Sequence, residues 1–419
     1  MTEERTDQVS EGHNADEVHI VAILNLSVVT FLVLLGLSMV APILPEYAES
    51  FDVSYTLVGF VISSFAIARV FIDIPAGLLS YKYNKKRIMI SGLILIAVSS
   101  VLAGWAPIYE VLIFARIIEG AGSALYVTAA TVYLAQIASK KERGKWMSLY
   151  MGLLLLGSIF GPTFGGILAE IYDIHAPFFA YAIIATITII PTITLPYIPE
   201  SGEIIDYSPR KIIKDIGSVL RYPSYLIATF ATFTLFFIRT GIRSTLVPLF
   251  AGNNLGLGSS EIGLILTFAG IATTLVVLPI GSISDRIGRR NPLILCLVLT
   301  AIVTVFLPYS TDMLALTIFM AIYGATTGLS GPMVAYVTDV SPEDKLEVSL
   351  GLYRTIGDLG FVVGPTVLGL IADETAIPIA GAEHSGLIVP FPFLIAVLLM
   401  LITALVLTKG QNKIFQKKE

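Results

Sequence analysis

The sequence predicts an all-α, polytopic membrane protein in which twelve transmembrane helices form two pseudo-symmetric six-helix bundles. Of the 419 residues, 55% are hydrophobic and only 14% are charged, a composition that would leave a soluble protein too little polar surface. Twelve apolar segments are long enough, or nearly so, to cross ~30 Å of hydrocarbon as helices. A glycine-rich motif at Gly157 returns 203 positions later at Gly360, which indicates an internal duplication.

The apolar segments form two sets of six, separated by a polar stretch. The first set lies near 20–44, 55–80, 88–106, 110–137, 146–170 and 177–198. The second set lies near 224–250, 260–283, 292–309, 313–338, 347–372 and 387–408. The resulting domains are a disordered cytoplasmic tail (1–19), an N-terminal bundle (20–198), a cytoplasmic linker (199–223), a C-terminal bundle (224–408) and a second cytoplasmic tail (409–419).

The distribution of lysine and arginine among the loops predicts the orientation of the chain in the membrane. With twelve spans, the basic loops all fall on one side of the membrane, together with both termini, and the opposite loops contain neither residue. The positive-inside rule then places both termini in the cytoplasm, and we expect a multi-pass protein of the cell membrane. In the linker, Ser208-Pro209 is typical of a helix start, and Ile212, Ile216 and Val219 form an apolar stripe. These residues predict an amphipathic helix on the inner membrane surface, with a plain linker as the alternative.

The duplicated motif combines small residues with a proline. Gly157, Gly161, Pro162 and Gly165 lie in span 5, and span 11 repeats the pattern with Gly364 and Pro365. Glycines four apart clear one face of a helix for close approach by another helix. The proline removes one backbone hydrogen bond and bends the helix. The sequence therefore predicts two bent helices at equivalent places in halves that move against each other.

Three stretches of the sequence carry a family resemblance. They are Gly281-Ser-Ile-Ser-Asp285-Arg286-Ile-Gly288-Arg289-Arg290 between spans 8 and 9, Arg116-Ile-Ile-Glu119-Gly120-Ala-Gly122 in span 4, and Gly157 to Gly166 in span 5. With these stretches the chain resembles the major facilitator superfamily over nearly its whole length. The third stretch resembles the antiporter motif of the twelve-span drug:proton branch of that superfamily. The resemblance implies that spans 1, 4, 7 and 10 line a central cavity.

Two positions depart from the family pattern. The loop signature between spans 2 and 3 begins at Gly77 but has Tyr81 and Asn84 where the family has aspartate and glycine. The resemblance implies that the aspartate holds a neighbouring helix, so Asp285 is expected to be the working copy. Glu119 stands where the family often has glutamine, which places an additional titratable group in the membrane.

Charged residues within the spans are candidates for function, because an unpaired charge in hydrocarbon costs several kcal/mol. Asp73, Glu119 and Asp358, together with Arg116, are candidates for proton coupling. Each acid has an arginine at helical spacing, namely Arg69–Asp73, Arg116–Glu119 and Arg354–Asp358. The alternative is that these are local ion pairs that only neutralise charge.

Arg239 and Arg243 of span 7 have no acid at helical spacing. They are predicted either to bind an anionic ligand or to pair with an acid on another helix, Asp73 or Glu119 in particular. Further candidates for the cavity are Arg69, Asn25, Tyr126, Phe236 and Tyr323, although such aromatic residues often serve packing alone.

The resemblance implies a secondary transporter that exports a small amphipathic compound by alternating access, with protons as the coupling ion. An organic-anion or phosphate-ester carrier that uses Arg239 and Arg243 is the alternative. A receptor or an intramembrane enzyme is disfavoured, since no nucleophile–base set or metal-ligand spacing occurs in the spans. We expect no cofactor and no metal. The expected partners are the lipid bilayer, the substrate and protons, and not nucleic acid. We expect the protein to be a monomer.

Overall fold

A computed structural model of the chain describes residues 2–138, 142–198, 209–378 and 386–409. It contains twelve helices long and apolar enough to span a membrane, which confirms the predicted fold class. The helices of spans 1–6 are Thr2–Val40, Tyr55–Lys82, Lys85–Gly104, Tyr109–Ile137, Arg143–Ile171 and Ala176–Thr194. Spans 8, 9, 11 and 12 are Ser259–Ile287, Arg290–Phe306, Leu346–Thr375 and Phe391–Lys409.

Spans 7 and 10 are interrupted. Span 7 consists of Pro223–Gly241, a π-helical turn at Ile242–Leu246 and the helix Val247–Leu255. Span 10 consists of Met313–Gly328 and Met333–Val340, joined by turns that contain Gly331 and Pro332. The shorter elements are the helices Leu44–Glu49 and Pro209–Val219, the 3₁₀ turns Leu307–Tyr309 and Glu343–Lys345, and the paired strands Ile377–Pro378 and Gly386–Leu387.

The terminal and linker segments differ in part from their predicted form. Residues 2–18, predicted to be disordered, continue the helix of span 1. Ser208, the predicted cap of the linker helix, and residues 410–419 lie outside the described residues. In the helix Pro209–Val219, Val219 is buried and Ile216 is half-buried, and Lys345 Nζ donates a hydrogen bond to Ser218 Oγ at 2.6 Å. This bond ties the linker helix to the start of span 11.

Local chemistry explains several helix boundaries. Asp312 accepts a hydrogen bond from Ala315 N at 2.9 Å and caps the start of span 10, and this bond lowers the pKa of its carboxyl below the ordinary value. Asn84 caps span 3 by accepting from Lys86 N at 3.0 Å. Gly256 ends the second part of span 7 in the left-handed conformation, at φ 65°, which favours glycine.

The two bundles meet along two seams, span 2 against span 11 and span 5 against span 8. Gly59 packs on the backbone of Pro365, and Gly263 packs on the backbone of Pro162. A side chain at either glycine would force these helices apart, because the backbone of the partner occupies its place. Both contacts lie toward the end of the molecule that carries the Asp52 loop, which we call the closed end.

Among the described residues, the same four spans separate toward the opposite end, beyond the contact between Asp73 of span 2 and Arg354 of span 11. The basic loops and the described parts of both termini lie at that end. Apart from the glycine's own turn of helix, no atom of the described residues lies within 4 Å of a Cβ placed at Gly152, Gly281 or Gly351, and at Gly77 only Thr128 of the same bundle does. We call this the open end. The described parts of the two bundles therefore enclose a space that is closed at one end and open at the other.

Candidate functional site

A cavity of about 390 Å³ lies between the bundles. Its wall comes from spans 1, 2, 4 and 5 of the first bundle and spans 7, 8 and 11 of the second. Apolar groups, among them Leu34, Leu37, Phe65, Phe236 and Phe361, cover much of it. The charged groups in the wall are Arg69, Arg116, Arg239, Arg243 and Asp358. Span 10, which the resemblance placed at the cavity, contributes none of these lining residues.

Arg116 and Glu119 form a buried ion pair in span 4, with 2.5 Å between Arg116 Nη1 and Glu119 Oε2. Arg116 lies in the cavity wall and stacks over the ring of Phe65, 4.9 Å from its centroid, whereas Glu119 lies behind Arg116. The second carboxylate oxygen, Glu119 Oε1, is buried and accepts no hydrogen bond within the described part of the chain. A proton can therefore bind Oε1 without displacing an existing hydrogen bond.

Asp73 of span 2 joins the two bundles. Its Oδ2 lies 3.5 Å from Arg69 Nη2 of the same helix and 3.9 Å from Arg354 Nε of span 11. The hydroxyl of Thr128 approaches the other oxygen at 3.4 Å. The local ion pair predicted between Arg354 and Asp358 is absent among the described residues, since Arg354 extends to Asp73 instead. Asp73 is thus an inter-bundle ion-pair residue and not only a local one.

Asp358 is the one acid in the cavity wall as the structure describes it. Its side chain is buried, and Arg69, Asp73 and Arg354 are its electrostatic neighbours. The side chain comes from span 11, whereas Arg69 and Asp73 come from span 2. Asp358 therefore belongs to a charged cluster that both bundles build.

Arg239 and Arg243 project into the cavity from span 7. The side chain of Arg239 is exposed to the cavity, and no hydrogen bond or ion pair to it occurs among the described residues. Arg243 lies in the π-helical turn and donates from Nη2 to the carbonyl oxygen of Leu266 at 2.9 Å. The acids proposed from the sequence as partners, Asp73 and Glu119, bind other arginines.

Three further candidates lie outside the cavity. Asn25 donates to the carbonyl oxygen of Pro191 at 3.0 Å, and Tyr126 shares a hydrogen bond of 2.9 Å with Thr30. Tyr323 is buried and donates to the carbonyl oxygen of Ile238 at 3.0 Å. Each of these side chains contacts a helix of its own bundle, so its polar group serves packing in this state.

Comparisons with known proteins give the family. The Major Facilitator Superfamily profile matches residues 26–242 and 228–413. The chain belongs to this superfamily. Among its relatives, Multidrug resistance protein 2 of Bacillus subtilis (strain 168) is 26% identical over 350 residues, covering 82% of this chain and 86% of that protein. Quinolone resistance protein NorA of Staphylococcus aureus (strain COL) is 22% identical, covering 82% of this chain and 88% of that protein.

Solved structures of major facilitator transporters share the fold. Nucleoside transporter NupG superposes with a TM-score of 0.75 at 16% identity, covering 93% of this chain and 100% of that chain. A bacterial homologue of the human lysosomal transporter Spinster, in an inward-facing and unoccupied conformation, superposes with a TM-score of 0.77 at 14% identity, covering 93% and 96%. The two resistance proteins among the relatives confirm the sequence resemblance to the drug:proton branch of the superfamily.

The antiporter-type motif of this major facilitator protein has two faces. Gly157, Gly161 and Gly165 pack on the backbone of span 1 in their own bundle, and Gly166 packs on Ser259 of span 8 across the seam. Their counterparts Gly360 and Gly364 pack on span 7, and Gly369 packs on Tyr55 of span 2. Small residues thus serve both the interior of each bundle and the contact between the bundles.

The loop signature after span 8 makes contacts within the second bundle. Arg289 lies 3.2 Å from Asp285 and 2.7 Å from Asp339 of span 10, and Gly288 adopts φ 86° beside them. Arg286 is exposed, and Asp285 is 61% exposed. The contact that the resemblance implies between Asp285 and a neighbouring helix is absent among the described residues, because the open end separates the bundles there.

Sequence reasoning did not single out Phe65, Phe361 or Asp373. The carboxylate of Asp373, at the closed end of span 11, accepts hydrogen bonds from Tyr55 N at 2.6 Å and Thr56 N at 2.8 Å, the first residues of span 2. One signal was available, because Asp373 is the counterpart of Glu170 in the duplicated motif.

Proposed function

We propose that the protein exports a small amphipathic compound across the cell membrane in exchange for protons, by alternating access. The names of two relatives, a multidrug resistance protein and a quinolone resistance protein, support this direction and substrate type. The observation that carries the coupling is the buried Arg116–Glu119 pair, which has a free carboxylate oxygen and lies directly behind the cavity wall.

The proposed topology gives the closed end an orientation. If the basic loops and both termini are cytoplasmic, the closed end is extracellular, and the cavity is loaded from the cytoplasm or the inner leaflet. Rocking of residues 20–198 against 224–408 would open the seams and expose the cavity to the outside. Exchange requires that a proton and the substrate stabilise different states or oppose each other's binding. The protein acts as a monomer, since one chain contains both bundles and the cavity.

The test is transport into proteoliposomes under an imposed pH gradient, with lipophilic anions and cations as candidate substrates. We expect Glu119→Gln, which mimics a permanently protonated side chain, to lower pH-driven accumulation by about tenfold or more, equivalent to ~1.4 kcal/mol of coupling free energy. Substrate exchange without a pH gradient should persist. Glu110→Gln, an exposed acid at the end of the same helix, is the matched control and should behave as the wild type.

Two results would remove the proposal. One is transport that does not depend on pH for any substrate. The other is retention of pH-driven accumulation in both Glu119→Gln and Asp73→Asn, since these acids would then not be the coupling sites.

A further inference from the structure

We propose that the cavity binds an organic oxyanion with an apolar body, and that Arg239 and Arg243 of span 7 hold its anionic group. This inference rests on the proposed transport function and specifies its substrate class. It concerns the charge of the compound, which the names of the relatives leave open.

The first argument is the balance of charge around the cavity. Four arginines line its wall, namely Arg69, Arg116, Arg239 and Arg243, and a fifth, the half-exposed Arg354, binds Asp73. The acids that line the wall or pair with these arginines number three: Asp73, Glu119 and Asp358. Arg69 and Arg354 share Asp73 and are also the electrostatic neighbours of Asp358, and Arg116 has Glu119. The described groups thus leave two positive charges in excess, those of Arg239 and Arg243, in a cavity at membrane depth that opens at one end only and is partly lined by apolar groups. An anionic ligand would supply the missing counter-charge.

The second argument is where the excess lies. Arg239 has no hydrogen-bond or ion-pair partner among the described residues, and its side chain is exposed to the cavity. One nitrogen of Arg243 is fixed by the carbonyl oxygen of Leu266, so the rest of its guanidinium stays available. Two like charges one turn apart on a helix repel each other. An oxyanion between them would remove this repulsion, and the planar guanidinium matches carboxylate, sulfonate and phosphate oxygens.

The third argument is the local backbone, which is unusual at this position. Arg243 lies in the π-helical turn Ile242–Leu246, where Val247 N donates to Ile242 O, and Thr245 Oγ1 donates to Thr240 O at 3.0 Å. Single π turns interrupt α-helices often at functional sites. Here the turn lies next to Arg239 and the cavity and not elsewhere in the described part of span 7.

The remaining wall indicates the rest of the ligand. Leu34 and Leu37 of span 1 line the same cavity as the arginines, and Phe65, Phe236 and Phe361 add aromatic surface. A volume of about 390 Å³ is in the range that accommodates small organic ligands. The site therefore suits a compound with one oxyanion group and a flat or branched apolar body, and it disfavours an organic cation of the same size.

The test compares two ligands of similar body and opposite charge, naphthalene-2-sulfonate and (2-naphthyl)trimethylammonium. Binding to the purified full-length protein in a non-ionic detergent is measured by titration calorimetry. We expect the sulfonate to bind at least about tenfold more tightly than the ammonium compound. Arg239→Gln should weaken sulfonate binding by about tenfold or more, and Arg239→Lys, which keeps the charge but loses the planar fork, should weaken it less.

Controls separate the site from general effects of charge and of folding. Arg221→Gln removes an exposed arginine at the start of span 7 and should leave sulfonate binding unchanged. Each variant is compared by size-exclusion profile and thermal midpoint, and Arg243→Gln serves as a second variant if Arg239→Gln does not fold. The proposal is overturned if the folded wild type does not bind the sulfonate, if it binds the ammonium compound equally well, or if Arg239→Gln and Arg243→Gln both bind like the wild type.

The same titration, repeated at several pH values, keeps the two proposals apart. Sulfonate binding that weakens on acidification supports both proposals, because it gives the opposition that proton exchange needs. Sulfonate binding that strengthens on acidification supports the anion site but contradicts export by proton exchange, since an inward proton gradient would then drive co-transport. If the wild type binds the sulfonate but shows no pH-driven transport, the transport proposal is contradicted and the anion site still stands.

Discussion

The charged side chains of Glu119 and Arg116 are compatible with a stable fold only as a pair. Both are buried, and each is the charged partner of the other, so removal of one leaves an uncompensated charge within the bundle. Breaking such a pair costs about 3–5 kcal/mol, whereas replacing both members with neutral groups costs much less.

A double-mutant cycle tests this dependence. We expect Glu119→Gln and Arg116→Gln alone each to lower the thermal midpoint clearly, and Arg116→Gln/Glu119→Gln to lower it by much less than the sum of the two. The exposed pair Glu142–Lys145 has the same spacing, with 3.9 Å between its charged atoms, and is the matched control. The interaction free energy of this exposed pair, from the same kind of cycle, should be at most about 0.5 kcal/mol. Losses that simply add at the buried pair would contradict its description as a mutually compensating unit.

The sequence identified charged side chains well but not their partners. Arg239 and Arg243 were recognised as unpaired because no acid lies at helical spacing. Arg354 had such an acid in Asp358, yet it reaches Asp73 of the other bundle. Spacing describes one helix, and a long side chain at a seam can also meet another helix. For the same reason Asn25 and Tyr323, polar enough to bind a ligand, could not be told from residues that bond within their own bundle.

At the scale of elements, the closed end is held by a helix cap supplied from the other bundle. Asp373 of span 11 accepts the first two backbone N–H groups of span 2, and Thr56 Oγ1 adds a bond of 2.5 Å. A carboxylate at a helix N-terminus satisfies free N–H groups and interacts favourably with the helix dipole. Because cap and helix belong to different halves, this bond must break when the closed end opens.

Asp373→Asn should therefore favour the state in which this end is open. The loss of a charged cap is worth about 1–2 kcal/mol, which corresponds to roughly a 5- to 30-fold shift between the two states. The measurement is the labelling rate of a single cysteine, Ser38→Cys in the cavity wall of a Cys296→Ser protein, by an impermeant maleimide added outside cells. Glu170→Gln changes the exposed counterpart in the first half and should not alter the rate. An unchanged rate in Asp373→Asn would show that the cap does not hold this end closed.

Hydropathy was sufficient to place the twelve spans, because the length of a helix in the membrane is fixed by the bilayer. It was not sufficient for irregularities within the spans. The π turn at Ile242–Leu246 leaves the apolar pattern of span 7 unchanged, so no sequence signal marks it. The break in span 10 had a local signal in Gly331-Pro332, but proline also occurs inside the continuous helices at Pro162 and Pro365.

At the scale of the whole molecule, the duplication accounts for the seams but not for the charges. Gly59 on Pro365 and Gly263 on Pro162 are the same contact made twice, once in each seam. Asp73, Glu119, Arg239 and Arg243 have no counterparts in the other half. The repeated residues thus provide two equivalent sliding contacts, and the unrepeated residues give the cavity its polarity.

The glycines at the open end that contact no helix of the other bundle offer a way to hold the protein in one state. Gly77 and Gly281 lie in the same helices as Gly59 and Gly263, 18 residues or about 27 Å further along, but face no described neighbour from the other bundle. Gly281→Leu should leave folding and ligand binding intact, because its side chain enters free space. It should block the opposite state, in which the helices close at this end, and abolish transport while single-site binding persists.

Such a variant would be a trapped form suited to raising conformation-specific antibodies and to structure determination. Gly263→Leu, its partner at the closed end, should trap the opposite form, because overpacking by a side chain in a tight contact costs about 1–3 kcal/mol or more. External maleimide labelling of Ser38→Cys should fall in Gly281→Leu and rise in Gly263→Leu, and these opposite changes would show that the two variants trap opposite states. The duplicated glycines would then serve as two independent switches, each of which selects one of the protein's conformations by the addition of a single side chain.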